Sequence, residues 1–461
     1  MRRIQSSAEI VVILKPEATH DLTVAVQDKY KLIPIFGATQ ERVAASMSPA
    51  VLLMASPELN PALFYHVAGV VSDPQALIEK LLKEPDVSGA YFKPPSETPE
   101  MYREEAPEEG PPLDLSPNPT PDFNKLQRYL QAAPEGIDAL FAWTKLGGRG
   151  DTVRLIDLEW GWNFSHEDLL VSSGGLLDGV NDSDTDHGTA VIGVIGGDNN
   201  GTGIVGIAPN ASVSTISFVG NTTSQAIRKA ADRLSAGDII LLEVHRAGPL
   251  ATGAGQEGYI AIEWWPDDFV AILYATSKGV IVVEAAGNGA QNLDDLVYNH
   301  PQKGFPPAWS NPFNRANPQC GAILVGAGAP PPGTHGKNHG VDRSRLEFSN
   351  FGTAVDVQGW GREVTTSGRS WGVADLHNGG GNAWYTNQFS GTSSASPIVV
   401  GALACAQGWL RAAGKSPMTS VHARNLLRAT GSPQQDEIDR PASQRIGNRP
   451  DLRRMYARLF P

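Results

Sequence analysis

The sequence predicts an α/β protein, a doubly wound parallel sheet with helices on both faces, preceded by a small α/β unit. Three observations point there. β-rich runs at 152–156, 212–218, 238–243, 280–285 and 322–327 alternate with helical patterns at 187–196, 223–235 and 266–278, the order that builds a helix-covered parallel sheet. Two stretches, 187–197 and 394–407, are small and apolar nearly all round, so as helices they must be buried. Residues 94–122 hold nine prolines and eight acidic residues against one arginine. Such a segment cannot bury a core and separates two units.

The first unit spans residues 1–95. Ile10–Leu14 reads as a strand, Leu22–Tyr30 as a weak helix and Phe64–Val71 as a second strand. Asp73 caps a helix with Pro74 at its first position, whose apolar face is Leu77, Ile78, Leu81 and Leu82. Val87–Phe92 returns as a strand. Residues 96–123 form the linker, an exposed stretch where proteolysis concentrates. The second unit, 124–461, opens with helical patterns at 126–130 and 136–146 and ends in an arginine-rich tail from Arg440.

At 461 residues with 41% hydrophobic content the chain can bury a large core. Its net charge is −12 and it has no basic tract, which argues against nucleic acid as a partner. Cys405 lies on an apolar helix and reads as a core thiol, although a pairing with Cys320 stays open. The amino terminus lacks the apolar core of a signal peptide, and no window approaches 18 apolar residues. The compartment is left open.

The chemistry lies in the second unit. Ser393 sits in Gly391-Thr-Ser-Ser-Ala-Ser-Pro397, ahead of the apolar run. Proline suits only the first helical turn, so the helix is expected to start beside Ser393. There its hydroxyl and N–H lie at the positive end of the dipole. His187 opens His-Gly-Thr-Ala-Val-Ile at the start of another small-residue helix. Asp157 ends the β-rich run Thr152–Ile156, and carboxyl ends of parallel strands face the ligand crevice. An acid, an imidazole and a hydroxyl can together activate a serine for acyl transfer. Val280–Ala286 runs into Gly287-Asn288-Gly289, where the Asn288 amide can donate to a developing oxyanion.

Together these motifs resemble those of the subtilases, the subtilisin-like serine peptidases. Gly391–Pro397 with Val400-Gly401 matches the nucleophile block, His187-Gly-Thr the base block and Ala286-Gly-Asn288 the oxyanion segment. The acid block departs: Asp157 is followed by Leu158-Glu159-Trp160-Gly161 where Ser or Thr and then Gly are usual. His166-Glu-Asp-Leu169 is similar to the His-Pro-Asp-Leu that follows in the family.

The resemblance implies a serine endopeptidase with a triad of Asp157, His187 and Ser393, an oxyanion donor in Asn288, polypeptide substrates and no cofactor for chemistry. It implies pocket walls at Glu243, Val244 and His245 on one side and Ala285, Ala286 and Gly287 on the other. Glu243 or His245 turned into that pocket favours basic substrates; turned away, they are structural. It implies that the first unit acts as a propeptide, chaperoning folding and blocking the cleft; a plain accessory domain is the alternative. Asp198-Asn-Asn200-Gly-Thr-Gly resembles a family calcium loop, with Asp198 and Asn200 as ligands, or else is a turn without an ion. The competing function is a scaffold that keeps the fold but not turnover, on the ground of the altered acid block.

Overall fold

The computed structural model describes residues 8–18, 20–37, 59–69, 71–99, 119–370 and 372–461. Seven parallel strands form the central sheet: β6 (Arg154–Glu159), β7 (Ser173–Asp178), β8 (Ser212–Ser217), β9 (Ile239–Leu242), β12 (Ile281–Ala285), β13 (Ile323–Gly328) and β14 (Val357–Trp360), in the order β14-β13-β12-β9-β6-β8-β7. From β6 the chain goes first to the edge at β7, returns to place β8 between them, and then crosses to build β9, β12, β13 and β14 on the other side. The order therefore reverses at β6 and β9, and the crevice beyond their carboxyl ends is where such sheets bind ligands.

Alternation along each strand divides the apolar residues between two faces. Ile156 and Leu158 of β6, with Ile240 and Leu242 of β9, pack against the helices Thr223–Arg233 and Pro266–Ser277. Leu155 of β6, with Ile239 and Leu241 of β9, packs against the helices Asp186–Gly196 and Thr392–Ala412. Asp157 and Glu159 share the parity of Leu155, so β6 aims both carboxylates at the face that carries His187 and Ser393.

The helix Thr392–Ala412 starts one residue before Ser393. Pro397 is thus its sixth residue, not a first-turn residue as expected. What the proline lacks is the N–H that would bond the Ser393 carbonyl. The start is held instead by side chains: Ser396 Oγ donates to Thr392 O at 2.8 Å and Ser394 Oγ to Trp360 O at 2.9 Å. The predicted helices at 126–130 and 136–146 shrink to a 3₁₀ turn at Arg128–Leu130 and one turn at Ala139–Ala142.

The first unit is a four-stranded antiparallel sheet, β2-β3-β1-β4, made of β1 (Glu9–Leu14), β2 (Leu32–Pro34), β3 (Phe64–Val67) and β4 (Val87–Lys93). Ile10, Val12 and Leu14 face its own helices, with Val26, Ile78 and Leu81. The opposite face, Val11, Ile13, Phe64 and Tyr91, belongs to the same apolar cluster as Ile227 and Val270 of the second unit. The two units therefore meet through a shared core. Charge is buried in the seam: Lys93 Nζ stands 2.9 Å from Asp268 Oδ1 and from Thr223 Oγ1 and also binds Asp267, to which Tyr91 Oη donates at 2.7 Å.

Linker residues 100–118 lie outside the described residues. The linker's amino-terminal end is no free spacer. Ser96–Glu97 forms β5, which pairs antiparallel with β10 (His245–Ala247), itself paired with β11 (Tyr259–Ala261). Cys320 and Cys405 are buried free thiols. Among the described residues no helix is long and apolar enough to cross a membrane.

Candidate active site

Ser393, at the base of its helix, is buried, and its Oγ donates to the carbonyl oxygen of Pro99 at 2.9 Å. The tail that delivers this carbonyl lies along β10 as an added strand. Gln256 Nε2 donates to Thr98 O at 2.8 Å, and Tyr259 Oη to Glu97 Oε1 at 2.9 Å. A peptide carbonyl is thereby held against a serine hydroxyl, with backbone pairing supplying the grip.

His187 is the second residue of the helix Asp186–Gly196, and its ring meets Phe389 edge-on at 5.5 Å. Gly188 must be glycine: a Cβ there would lie 2.3 Å from Gly161 O. That close approach brings the helix start against the end of β6.

The carboxylate beside the imidazole is Glu159. His187 Nδ1 donates to Glu159 Oε2 at 2.7 Å, whereas Asp157 Oδ2 accepts from Trp162 Nε1 at 2.7 Å. This corrects the expectation that Asp157 orients the base. The reason is the pleat: residues two apart in a strand share a face, and Glu159 stands one pleat nearer the crevice. The parity is readable from Leu155-Ile-Asp157-Leu-Glu159, but the family resemblance rests on the aspartate alone.

Three carboxyls crowd this spot. Burial, then the neighbouring Glu159, pushes Asp157 well above the usual carboxylate range. Burial also raises Glu159, opposed by a hydrogen bond from Asp157. Glu243, likewise raised by burial, contacts Ser396 Oγ. Ser396 Oγ also binds Thr392 O at 2.8 Å, and one hydroxyl has one proton to give, so a neutral Glu243 completes both contacts. Glu243 is wholly buried under the helix of Ser393, which corrects the expectation that it could select basic substrates. His245, also buried, is pushed down to about 3 and is neutral; its Nδ1 accepts from Asn288 N at 3.3 Å.

Asn288 Oδ1 accepts from both Thr392 N and Thr392 Oγ1 at 2.9 Å, while Nδ2 donates to Gln256 Oε1 at 3.2 Å. Its amide is thus oriented by the residue next to the serine, and the NH₂ group faces the same side as the tail-binding glutamine. Val244, Ala285 and Ala286 are buried. Asn350 Nδ2 fixes the second wall by donating to Ala286 O at 2.7 Å, and Gly287 turns it with φ +96. Gln256, Tyr259 and Asn350 belong to no sequence motif, and only their contacts reveal them.

The loop expected to bind calcium is satisfied from within. Asp198 accepts from Val171 N at 2.8 Å and Ser172 N at 2.9 Å. Asn200 Nδ2 donates to Asp168, which also accepts from Tyr385 Oη, both at 2.8 Å. No cluster of His, Cys, Asp or Glu suited to a metal occurs among the described residues.

The model of the subtilase family matches residues 177–445, starting after the strand that carries Asp157 and Glu159. Over 313 residues the chain is 30% identical to alkaline elastase YaB of Bacillus sp. (strain YaB), an alignment that takes in 66% of each chain, about two thirds of that relative's length. Subtilisin DY of Bacillus licheniformis is 26% identical over 312 residues, 66% of this chain and 92% of that one. Among solved structures, the epidermin leader peptide processing serine protease of Staphylococcus aureus covers 98% of both chains with a TM-score of 0.58 at 18% identity, a likeness of fold. With more than half of its length matched by the family model, and with that sheet and that serine-bearing helix, the chain belongs to the subtilase family of serine-type peptidases.

Proposed function

We propose that the chain is a serine endopeptidase that cleaves polypeptides through an acyl-enzyme on Ser393. His187 takes the Ser393 proton as Oγ attacks the carbonyl carbon, then delivers it to the leaving amine. Glu159, in place of the expected Asp157, holds the imidazole by Nδ1 and stabilises its cation. Asn288 Nδ2 and the Ser393 N–H meet the charge on the oxygen.

The single observation that carries this reading is the Ser393 Oγ hydrogen bond to Pro99 O, with the tail paired to β10. The chain presents a peptide to its own hydroxyl as a substrate would lie. The first unit is then an intramolecular inhibitor: its sheet docks on the two helices beside the cleft, and residues 94–99 fill the subsites. The scaffold alternative rested on the altered acid block, and a carboxylate 2.7 Å from His187 removes that ground.

Treatment of wild type and Ser393→Ala with a fluorophosphonate probe tests the proposal. Labelling of wild type alone is expected, after proteolytic removal of the first unit if the tail shields the serine. Wild type that stays unlabelled before and after that removal refutes it.

A further inference from the structure

Resting on the peptidase reading, we infer that Asp157 is a neutral positioning residue, a carboxylic acid that keeps its proton and donates it in a hydrogen bond to Glu159, so that Glu159 alone is the anion facing His187. Asp157 and Glu159 are both buried, two residues apart on one face of β6, and each acts on the other's ionisation. Asp157 Oδ2 is occupied by Trp162 Nε1 and Glu159 Oε2 by His187 Nδ1. The two remaining oxygens, Asp157 Oδ1 and Glu159 Oε1, are buried without a hydrogen-bond partner among the described residues. One proton between them satisfies both, and two adjoining buried carboxyls cannot both be ionised. The groups facing the pair set its location: Trp162 N–H on the Asp157 side, His187 on the Glu159 side, with the neutral Glu243 beside both and Asp184 adding negative repulsion to Glu159 from its own segment. A cation forms only at His187, so the charge belongs on Glu159. Burial and the neighbouring Glu159 act in the same direction, raising Asp157. The relay reads Trp162 N–H to Asp157, Asp157 O–H to Glu159, and His187 N–H to Glu159. No proton moves along it; its work is to fix the glutamate's rotamer and keep its charge.

An asparagine at 157 reproduces the neutral acid, since its oxygen accepts from Trp162 and its NH₂ donates to Glu159. Full-chain wild type, Asp157→Asn, Asp157→Val and Glu159→Gln are compared by casein hydrolysis and fluorophosphonate labelling rate. Asp157→Asn is expected to stay within about tenfold of wild type. Asp157→Val should lose more, so that asparagine counts as the rescuing variant. Glu159→Gln should fall by about 10⁴, as when a triad acid is made neutral. The reverse pattern, with Asp157→Asn inactive and Glu159→Gln active, overturns the inference and leaves the peptidase reading standing. Inactivity of wild type in both assays fails that reading instead. The proton is read independently by infrared difference spectroscopy at neutral pH. Wild type minus Asp157→Asn must show loss of a protonated-carboxyl stretch, and loss of a carboxylate band refutes the assignment.

Discussion

Lys93 offers a quantitative test of what holds the first unit on the second. Its ammonium is fully buried, within 2.9 Å of Asp268 and bound to Asp267. Burial works against that charge, but the two aspartates outweigh it and keep the lysine protonated. Lys93→Met removes the cation and leaves two buried carboxylates behind. Breaking a buried pair from one side costs about 3–5 kcal/mol. Arg246, with Nη2 3.8 Å from Asp268, recovers part of it. At roughly 1.4 kcal/mol per factor of ten, the docked-to-released equilibrium should shift by about 10²–10³. Lys303 is the internal control: it bridges Glu79 across the same seam at 3.0 Å, but both side chains are more than half exposed. Exposed pairs contribute about 0–1 kcal/mol, so Lys303→Met should do little. The assay is amide hydrogen exchange over β4 in the full chain, read beside casein hydrolysis. Faster exchange and higher basal hydrolysis are expected for Lys93→Met only. Equal behaviour of the two variants would refute the view that buried charge, rather than surface pairing, secures the seam.

Other outcomes follow from single contacts. Asn288→Ala should lower kcat by about 10²–10³ through the lost oxyanion donor, with thermal unfolding measured alongside because the amide also ties Thr392; unchanged turnover would remove Asn288 from the mechanism. Gly188→Ala forces a methyl to 2.3 Å from Gly161 O and 2.6 Å from the Trp162 ring, so a loss of about 1–3 kcal/mol in stability is expected by calorimetry, and a wild-type Tm would show that the approach is not tight. Burial pushes Glu9 up to about 7 against its ordinary 4.5, opposed by Lys93 and Arg246. The folded chain therefore binds this proton more tightly than the unfolded one, and stability due to Glu9 is full below about pH 4.5 and lost as pH rises to about 7. Melting temperatures across that window should decline in wild type and decline less in Glu9→Gln.

Much of the fold was legible because one face or all faces of its elements are apolar. The strands at 238–243, 280–285 and 322–327 are buried on both sides and show it as runs of Ile, Leu and Val, whereas 212–218 shows only Val213, Ile216 and Phe218 among Ser and Thr. Ser393, His187 and Asn288 were legible for a different reason: each is fixed by neighbours in sequence, glycine and small residues that let backbones approach. Residues whose roles depend on distant partners left no such trace. Ser96–Glu97 becomes a strand only because β10 offers an edge 150 residues later, and two residues in a proline-rich run carry no periodicity. Tyr385 closes the Asp168 loop from far along the chain, a contact that Asp198-Asn-Asn-Gly-Thr-Gly by itself does not reveal. Glu159 lies between: its face was given by alternation, but which of two carboxylates on one face reaches the imidazole is decided by their depth below the crevice.

The continuous apolar seam between the units has an effect on what proteolysis alone can accomplish. Cutting the tail beyond Pro99 would sever one covalent connection while Val11, Ile13, Phe64 and Tyr91 remained seated among the residues of the larger body. A nicked molecule would stay a stoichiometric complex with its own fragment, silent until that fragment unfolds or is digested. Onset of activity would then lag behind the cut, and its pace would be set by the escape of a small folded wedge, not by the chemistry at the serine.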